Sequence, residues 1–109
     1  MREGFVYIDS FYAGIIKEED FGYSFAYSQE YLQSSNPKPV SLTLPLQKEK
    51  FTSPTMFPFF DGLIPEGWLL NIAIDNWKLN PRDRMGLLLV TCLDPIGNVS
   101  VHLSKENQT

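Results

Sequence analysis

The segment Phe5-Val6-Tyr7-Ile8-Asp9-Ser10-Phe11-Tyr12-Ala13-Gly14-Ile15-Ile16 decides how the chain begins to fold. Its two ends, residues 5–8 and 13–16, are short runs that favour β-strands, because β-branched and aromatic side chains pack well on a pleated surface. The residues between them, 9–12, are expected to form the connection. The segment therefore predicts a β-hairpin and the beginning of an antiparallel sheet.

Alternating hydrophobicity predicts further strands along the chain. Residues 23–27 alternate at period two with their aromatic side chains on one face, and residues 40–44 alternate again and end at Pro45. Residues 99–103 predict a last strand after a turn at 94–98. Together with the hairpin, these segments make about five short strands.

Two segments between the strands are expected to have other structures. Residues 30–32 predict a single helical turn, which the Ser-Ser-Asn-Pro run at 34–37 closes. Residues 46–56 predict a polar loop.

Pro65 marks the predicted start of the first long helix. Pro65 cannot continue a preceding helix, and Glu66 in the first turn suits the positive end of the helix dipole. At about 100° per residue, the apolar side chains after Glu66 form one stripe roughly 140° wide, as expected of a helix packed on a core. The stripe comprises Leu69, Leu70, Ala73, Ile74 and Trp77.

A second helix is predicted to begin at Pro81. Asn80 is the expected N-cap, Pro81 the first helical residue, and Asp83 lies in the first turn. The body of this helix, residues 85–92, is nearly all apolar. We therefore expect it to be the most buried helix of the protein.

The order of strands and helices predicts an α+β fold. We expect a small, mostly antiparallel β-sheet with about two or three helices packed on one side. At 109 residues, the chain is expected to form a single domain over residues 1–109. A hydrophobic content of 43% and an aromatic content of 14% argue against disorder.

Charge and composition exclude several classes of partner. The net charge of -4 and the pI near 4.8 argue against direct binding to nucleic-acid phosphates, because no basic stripe is available to neutralise them. No apolar run approaches the roughly 20 residues that span a bilayer, and the N-terminus lacks a secretory signal, so no membrane partner is expected. The single cysteine, Cys92, fits a reducing, cytoplasmic setting.

Residues suited to catalysis are sparse. His102 is the only histidine, which excludes a multi-histidine metal site, and it is interpreted as an exposed strand residue. Cys92 is interpreted as a buried small hydrophobe and residues 18–20 as a solvated acidic face. Asp61 and Glu66 are expected to cap helices. No phosphate-binding glycine loop occurs. We therefore expect no catalytic residue, no metal site, no cofactor and no enzyme activity.

Trp68 is the residue that best indicates a function. On the predicted helix it lies roughly 170° from the centre of the apolar stripe, among polar residues such as Asn71 and Asp75, with Ile72 beside it. A large aromatic side chain on a polar helix face is unfavourable in water unless a partner covers it. The alternative is that Trp68 packs back against the aromatic cluster at residues 57–60 or the loop before it.

Four segments carry a resemblance to a known family. They are, in chain order, residues 39–46, 59–67, 86–88 and 94–101. In this order they resemble the N-terminal subdomain of HipA-type serine/threonine kinase toxins, where similar S-L-S-L-P-L, F-F-x-x-L-L-P and G-A-V-S-V segments occur. Asn98 departs from the pattern, since the family usually carries a small residue there.

The resemblance implies a role in a toxin–antitoxin system. The phosphate-binding loop, catalytic aspartate and metal-binding acids that follow this subdomain in the full-length kinases are absent here. The arrangement is similar to the split HipBST systems, in which a small HipS-type subunit neutralises the separate kinase, HipT, and HipB contacts operator DNA through a helix-turn-helix. The implied partners are a HipT-like serine/threonine kinase toxin and a HipB-like DNA-binding protein.

The resemblance also suggests how the partner is bound. We expect Trp68 to be an anchor inserted near the kinase active site, because tryptophan buries a large area with few rotors to freeze. The expected partner-binding residues are Pro65, Glu66, Gly67, Trp68 and Ile72. The alternative functions are a non-inhibitory structural or activating subunit that completes the kinase N-terminal lobe, and a generic adaptor or a fragment of a longer kinase.

Overall fold

The sheet has five strands in the part of the chain that the computed structural model describes, residues 2–64, 71, 74–76, 78, 80–91 and 98–103. In chain order they are β1 (Glu3–Ile8), β2 (Phe11–Glu19), β3 (Gly22–Tyr27), β4 (Phe51–Ser53) and β5 (Val99–His102). Neighbouring strands follow the order β4-β3-β2-β1-β5, and every pair is antiparallel.

Three helices that are described over their full length pack on one face of this sheet: α1 (Gln29–Gln33), α2 (Pro58–Asp61) and α3 (Arg84–Thr91). Side chains from all three join those of the sheet in a single buried cluster. Members of this cluster with no exposed surface include Val6, Ile16, Phe25, Phe60, Met85 and Leu88. The predicted α+β fold is confirmed.

The connection between β1 and β2 is shorter than predicted. Asp9 and Ser10 both have positive φ, 50° and 74°, as in the tight two-residue turns whose twist matches that of a hairpin. Ile8 therefore pairs directly with Phe11, and Tyr12 also belongs to β2. The hairpin is confirmed, but Phe11 and Tyr12 lie in the strand rather than in the turn.

Residues 40–44 do not form the predicted strand. Ser41 and Leu44 form only an isolated bridge around a tight turn, and Ser41 Oγ accepts a hydrogen bond from the backbone N–H of Thr43 at 3.2 Å. Leu42, in the middle of this segment, is 96% exposed. The prediction failed because alternation does not say whether a neighbouring strand is present to pair with.

The hydroxyl of Tyr27 takes the place of that neighbouring strand. It accepts a hydrogen bond from the backbone N–H of Val40 at 2.9 Å and donates one to the backbone oxygen of Leu44. Both residues are buried. A buried backbone group needs a partner, and here one phenol satisfies both ends of the turn.

The remaining strand of the sheet is β4, and it lies inside residues 46–56, which were predicted to form a polar loop. In β4, Phe51 pairs with Phe25 and their rings stack with centroids 6.4 Å apart. Gly22, the first residue of β3, lies beside the other end of β4. It has a φ of 146°, and a Cβ on it would lie 2.3 Å from the backbone oxygen of Ser53. This close approach lets β4 pair along the edge of the sheet.

Helix α3 begins at Arg84, three residues after the predicted start at Pro81. Asn80 forms a turn instead, since its Oδ1 accepts from the backbone N–H of Arg82 at 2.9 Å. Asp83 is the capping residue: its Oδ1 accepts from the backbone N–H of Gly86 at 3.1 Å. Residues 85–89 are all buried, so the prediction that this is the most buried helix holds for the described helices.

The opposite face of the sheet carries an aromatic cluster. Tyr7 lies between Tyr12 and His102, with ring centroids 5.7 and 4.8 Å away, and Tyr12 also contacts Phe5. His102 is half-buried and forms a hydrogen bond with Ser100 at 2.8 Å. The interpretation of His102 as exposed was wrong, because pairing of β5 with β1 brings the imidazole against Tyr7.

The helix predicted from Pro65 is only partly described. Asn71 and residues 74–76 are helical. Ile74 belongs to the predicted apolar stripe, and it packs against the core. Asn71, Asp75 and Lys78 lie on the opposite side of the predicted helix, and they are exposed. The other stripe residues, Cys92 and the turn at 94–97 lie outside the described residues.

Candidate partner-binding surface

The residues predicted to bind a partner lie outside the described residues. These are Pro65, Glu66, Gly67, Trp68 and Ile72. The structure describes residues 57–64 on one side of them, residues 74–76 on the other, and Asn71 between Trp68 and Ile72. The geometry of the candidate surface therefore comes from these two flanks.

The first flank is anchored in the core by aromatic side chains. Helix α2 begins with Pro58, whose restricted φ suits the first turn of a helix. Phe60 has no exposed surface and contacts Phe25, Phe57 and Phe59, with ring centroids 5.3, 6.3 and 5.2 Å away. The short helix is therefore held by a side chain in the centre of the core.

Hydrogen bonds continue from α2 to the last described residue before Pro65. The backbone N–H of Gly62 donates to Pro58 at 2.9 Å, that of Leu63 to Phe60 at 3.1 Å, and that of Ile64 to Asp61 at 3.2 Å. Ile64 is only 3% exposed. The chain is consequently fixed up to the residue that precedes the predicted binding segment.

Asp61, which was predicted to cap a helix, joins α2 to α3 in the part of the chain that the structure describes. Nε of Arg84, the first residue of α3, donates to Oδ1 of Asp61 at 2.6 Å. The side chains remain 44% and 32% exposed for Asp61 and Arg84 respectively. Exposed ion pairs of this kind contribute about 0–1 kcal/mol to stability, so the main effect of the pair is to align the two helices.

A second charged cluster lies at the start of α3. Arg2 donates to Asp83 from Nη1 and Nη2, at 2.8 and 2.7 Å, and to Glu18 from Nε and Nη2, at 3.1 and 2.8 Å. These hydrogen bonds hold the pKa of both carboxyl groups below their ordinary values and raise the pKa of Arg2, while partial burial acts in the opposite direction.

Two of the three residues that were predicted to form a solvated acidic face therefore have side-chain partners. Glu18 binds Arg2, and Glu19 accepts a hydrogen bond from Ser24 Oγ at 2.8 Å. Sequence spacing gave no signal for these contacts, because Arg2 and Asp83 are 81 positions apart and Asp61 and Arg84 are 23 apart. Only the fold brings the members of each pair together.

The described residues offer no assembled metal site. Within them, no group of three or more His, Cys, Asp and Glu side chains is arranged to hold a metal ion. Nor does any helix built from these residues have the length and hydrophobicity of a membrane span.

Comparison with known proteins identifies the family. A sequence profile described as the HipA N-terminal domain matches residues 5–102. The chain belongs to this family. A solved structure described as the N-terminal domain of HipA toxin superposes on it with a TM-score of 0.73 and 25% identity, over 98% of this chain and 96% of the HipA domain. The likeness therefore lies in the N-terminal domain of HipA and not in its catalytic part.

Two related proteins show how much of the sequence is shared with other proteins. An uncharacterized protein of Haemophilus influenzae is 29% identical over 106 residues, which cover 97% of this chain and 96% of that protein. The putative kinase Y4mE of Sinorhizobium fredii is 37% identical over 64 residues, 59% of this chain but 15% of that protein. The chain is thus related to HipA toxin–antitoxin components, and this relationship indicates a kinase-related partner.

Proposed function

We propose that this protein is a HipS-type antitoxin that binds a HipT-like serine/threonine kinase toxin and neutralises it. The observation that carries the proposal is the match to the N-terminal domain of a HipA toxin over 98% of this chain and 96% of that domain. A subunit with this fold has the shape to take the place of an N-terminal domain beside a separate kinase core. Residues 1–109 would then act as one non-enzymatic domain in the cytoplasm.

Trp68 is the proposed anchor of the complex. Asn71 and Asp75 follow it by three and seven residues, the spacing of side chains on one face of a helix, and both are exposed. Ile74, on a different face, packs on the core. These neighbours favour an outward-facing Trp68 over one that packs on residues 57–60. Interface hot spots are enriched in tryptophan, which buries a large area with few rotors.

The other proposed contacts surround this anchor. Glu66 would add a polar contact to the kinase and Ile72 an apolar one, while Pro65 and Gly67 shape the turn that presents Trp68. The flank before them is held by the fully buried Phe60 and by Ile64. A binding segment that starts from a fixed point loses less conformational entropy when the complex forms. Inhibition is proposed to be steric, with Trp68 obstructing the kinase active site.

A HipB-like helix-turn-helix protein is proposed as the third member of the complex. The net charge of this chain is -4, which disfavours contact with DNA phosphates. DNA binding would therefore belong to the HipB-like subunit, and this chain would contact only protein. Purification of the three proteins together, followed by an operator-DNA binding assay with and without the HipB-like subunit, tests this division.

The central test replaces Trp68 by alanine and uses a HipT-like kinase toxin as the partner. Loss of an interface anchor typically costs about 2 kcal/mol or more, so Trp68→Ala should weaken binding by roughly thirtyfold or more and restore growth arrest. Phe11→Ala is the matched control, because Phe11 is an aromatic residue that is 69% exposed at the turn between β1 and β2. If folded Trp68→Ala suppresses toxicity as well as the unchanged protein does, the anchor is wrong.

A second function is favoured by the putative kinase Y4mE, in which a segment similar to this chain is part of the kinase polypeptide itself. The chain would then complete the N-terminal lobe of a kinase and support its activity. Kinase activity measured with and without this chain separates the two functions. Activity that falls when the chain is added indicates an antitoxin, and activity that appears only with it indicates an activating subunit.

A further inference from the structure

We propose that the Asp61–Arg84 ion pair positions the partner-binding segment, so that Asp61 is a positioning residue for kinase binding. The inference rests on the proposed function of Trp68 as the anchor. Asp61 makes two contacts: its backbone oxygen accepts from the N–H of Ile64 at 3.2 Å, and its Oδ1 accepts from Nε of Arg84 at 2.6 Å. It therefore links the residue before Pro65 to α3.

Helix α2 needs this link because it is too short to hold its own orientation. It has four residues, about one turn, and a helix of that length is not stable by itself. Phe60 holds it in the centre of the core, and the buried side chains of Phe57 and Ile64 hold the chain on either side of it. Asp61 projects about 100° around the helix from Phe60, so its bond to Arg84 adds a restraint on rotation about the helix axis.

Arg84 is a suitable reference point because the start of α3 is itself fixed. Asp83 caps this helix and is bound by two nitrogens of Arg2, and Met85 has no exposed surface. The ion pair thus holds the end of α2, and with it Ile64, in a fixed position relative to the buried helix α3. Because the pair is half-exposed, its loss should change the stability of the fold only a little. We expect the loss to have a larger effect on the direction in which the binding segment leaves α2.

A double-mutant cycle between Asp61 and Trp68 tests the proposal, with kinase affinity measured by titration calorimetry. Asp61→Ala should weaken binding about tenfold when Trp68 is present but less than twofold in the Trp68→Ala background, because misplacing an absent anchor costs nothing. Arg84→Gln should behave in the same way, and Arg84→Lys should recover part of the affinity. Lys38→Gln is the control, since Lys38 forms a more exposed ion pair with Asp9, at 4.0 Å.

The outcomes separate this inference from the proposed function. If Asp61→Ala weakens binding by the same factor in both backgrounds, or not at all, the positioning role is wrong and the anchor stands. If Trp68→Ala binds as tightly as the unchanged protein, the anchor itself is wrong. Thermal melting accompanies each variant, and a positioning role predicts the same small shift in both backgrounds. If Asp61→Ala fails to fold, Asp61→Asn, which keeps the shape of the side chain, takes its place in the cycle.

Discussion

Arg2 and Asp83 join the first strand to the most buried described helix, although they are 81 positions apart. Two nitrogens of the guanidinium donate to the two carboxylate oxygens at 2.7 and 2.8 Å. Paired hydrogen bonds of this geometry between charged groups are stronger than neutral ones and fix orientation as well as distance. Since Asp83 also caps α3, one side chain sets both the start of the helix and its position against β1.

Stability is expected to fall at acid pH because of this cluster. Hydrogen bonds from Arg2 hold the pKa of Asp83 and Glu18 below their ordinary values of 3.8 and 4.5. Such groups stabilise the fold above their unfolded pKa, and that contribution is lost as the pH falls through the folded pKa. The free energy of unfolding should decrease below about pH 5, by about 1 kcal/mol because solvent screens these groups. Urea denaturation at several pH values measures it.

Arg2→Gln is the control for this pH dependence. Without the guanidinium, the two carboxyl groups should titrate closer to their ordinary pKa values, so the decrease in stability between about pH 5 and pH 2 should become smaller. An unchanged pH dependence in Arg2→Gln would assign the acid sensitivity to other carboxyl groups.

The same substitution at two glycines should have opposite effects. At Gly14, a Cβ would lie 2.4 Å from the backbone oxygen of Ala26, in the pairing of β2 with β3, and a backbone atom cannot move aside cheaply. Gly14→Ala should destabilise the protein by about 3 kcal/mol. At Gly62, the nearest atoms are 3.3 Å away and φ is -69°, which alanine adopts readily.

Gly62→Ala should therefore be neutral or stabilise by about 0.5 kcal/mol, because alanine restricts the unfolded chain. Thermal melting of both variants gives the comparison. Equal effects at Gly14 and Gly62 would contradict the register of β2 against β3.

Removal of the Tyr27 hydroxyl should be costly. Tyr27→Phe leaves the buried N–H of Val40 and the backbone oxygen of Leu44 without the partner they share. A buried polar group left unpaired costs roughly 1–3 kcal/mol, so stability should fall by about 2 kcal/mol. Tyr31→Phe is the graded control, because the hydroxyl of Tyr31 binds the backbone of Lys38, an exposed residue, and water can replace it there. A larger loss for Tyr31→Phe would be inconsistent with this account.

The sequence pattern correctly predicted the elements that form because of interactions between residues close together in the chain. The hairpin of β1 and β2, the strand β3 and the buried body of α3 follow from hydrophobic period and residue type, and all were confirmed. Element boundaries were less accurate. The turn between β1 and β2 ended at Ser10, two residues earlier than predicted, and the capping residue of α3 was Asp83 rather than Asn80, because either side chain was suitable as a cap.

Elements that depend on a distant partner were mispredicted. Residues 40–44 alternate like a strand, but the hydroxyl of Tyr27 binds their backbone, so no neighbouring strand is needed. Strand β4 has three residues and no visible period, and it exists because Phe51 packs on Phe25. In both cases the deciding contact comes from another element of the fold.

The sequence by itself determined the α+β class, the hairpin that begins the sheet, the apolar helix that covers it, and the resemblance to the HipA N-terminal domain. These properties reside in residue types and their spacing, which act over a few neighbouring positions. Only the tertiary structure decided which segment became the edge strand, which carboxylate Arg2 binds, and that Asp61 pairs with Arg84. Such contacts join residues far apart in the chain, and their geometry exists only after the sheet and helices have packed together.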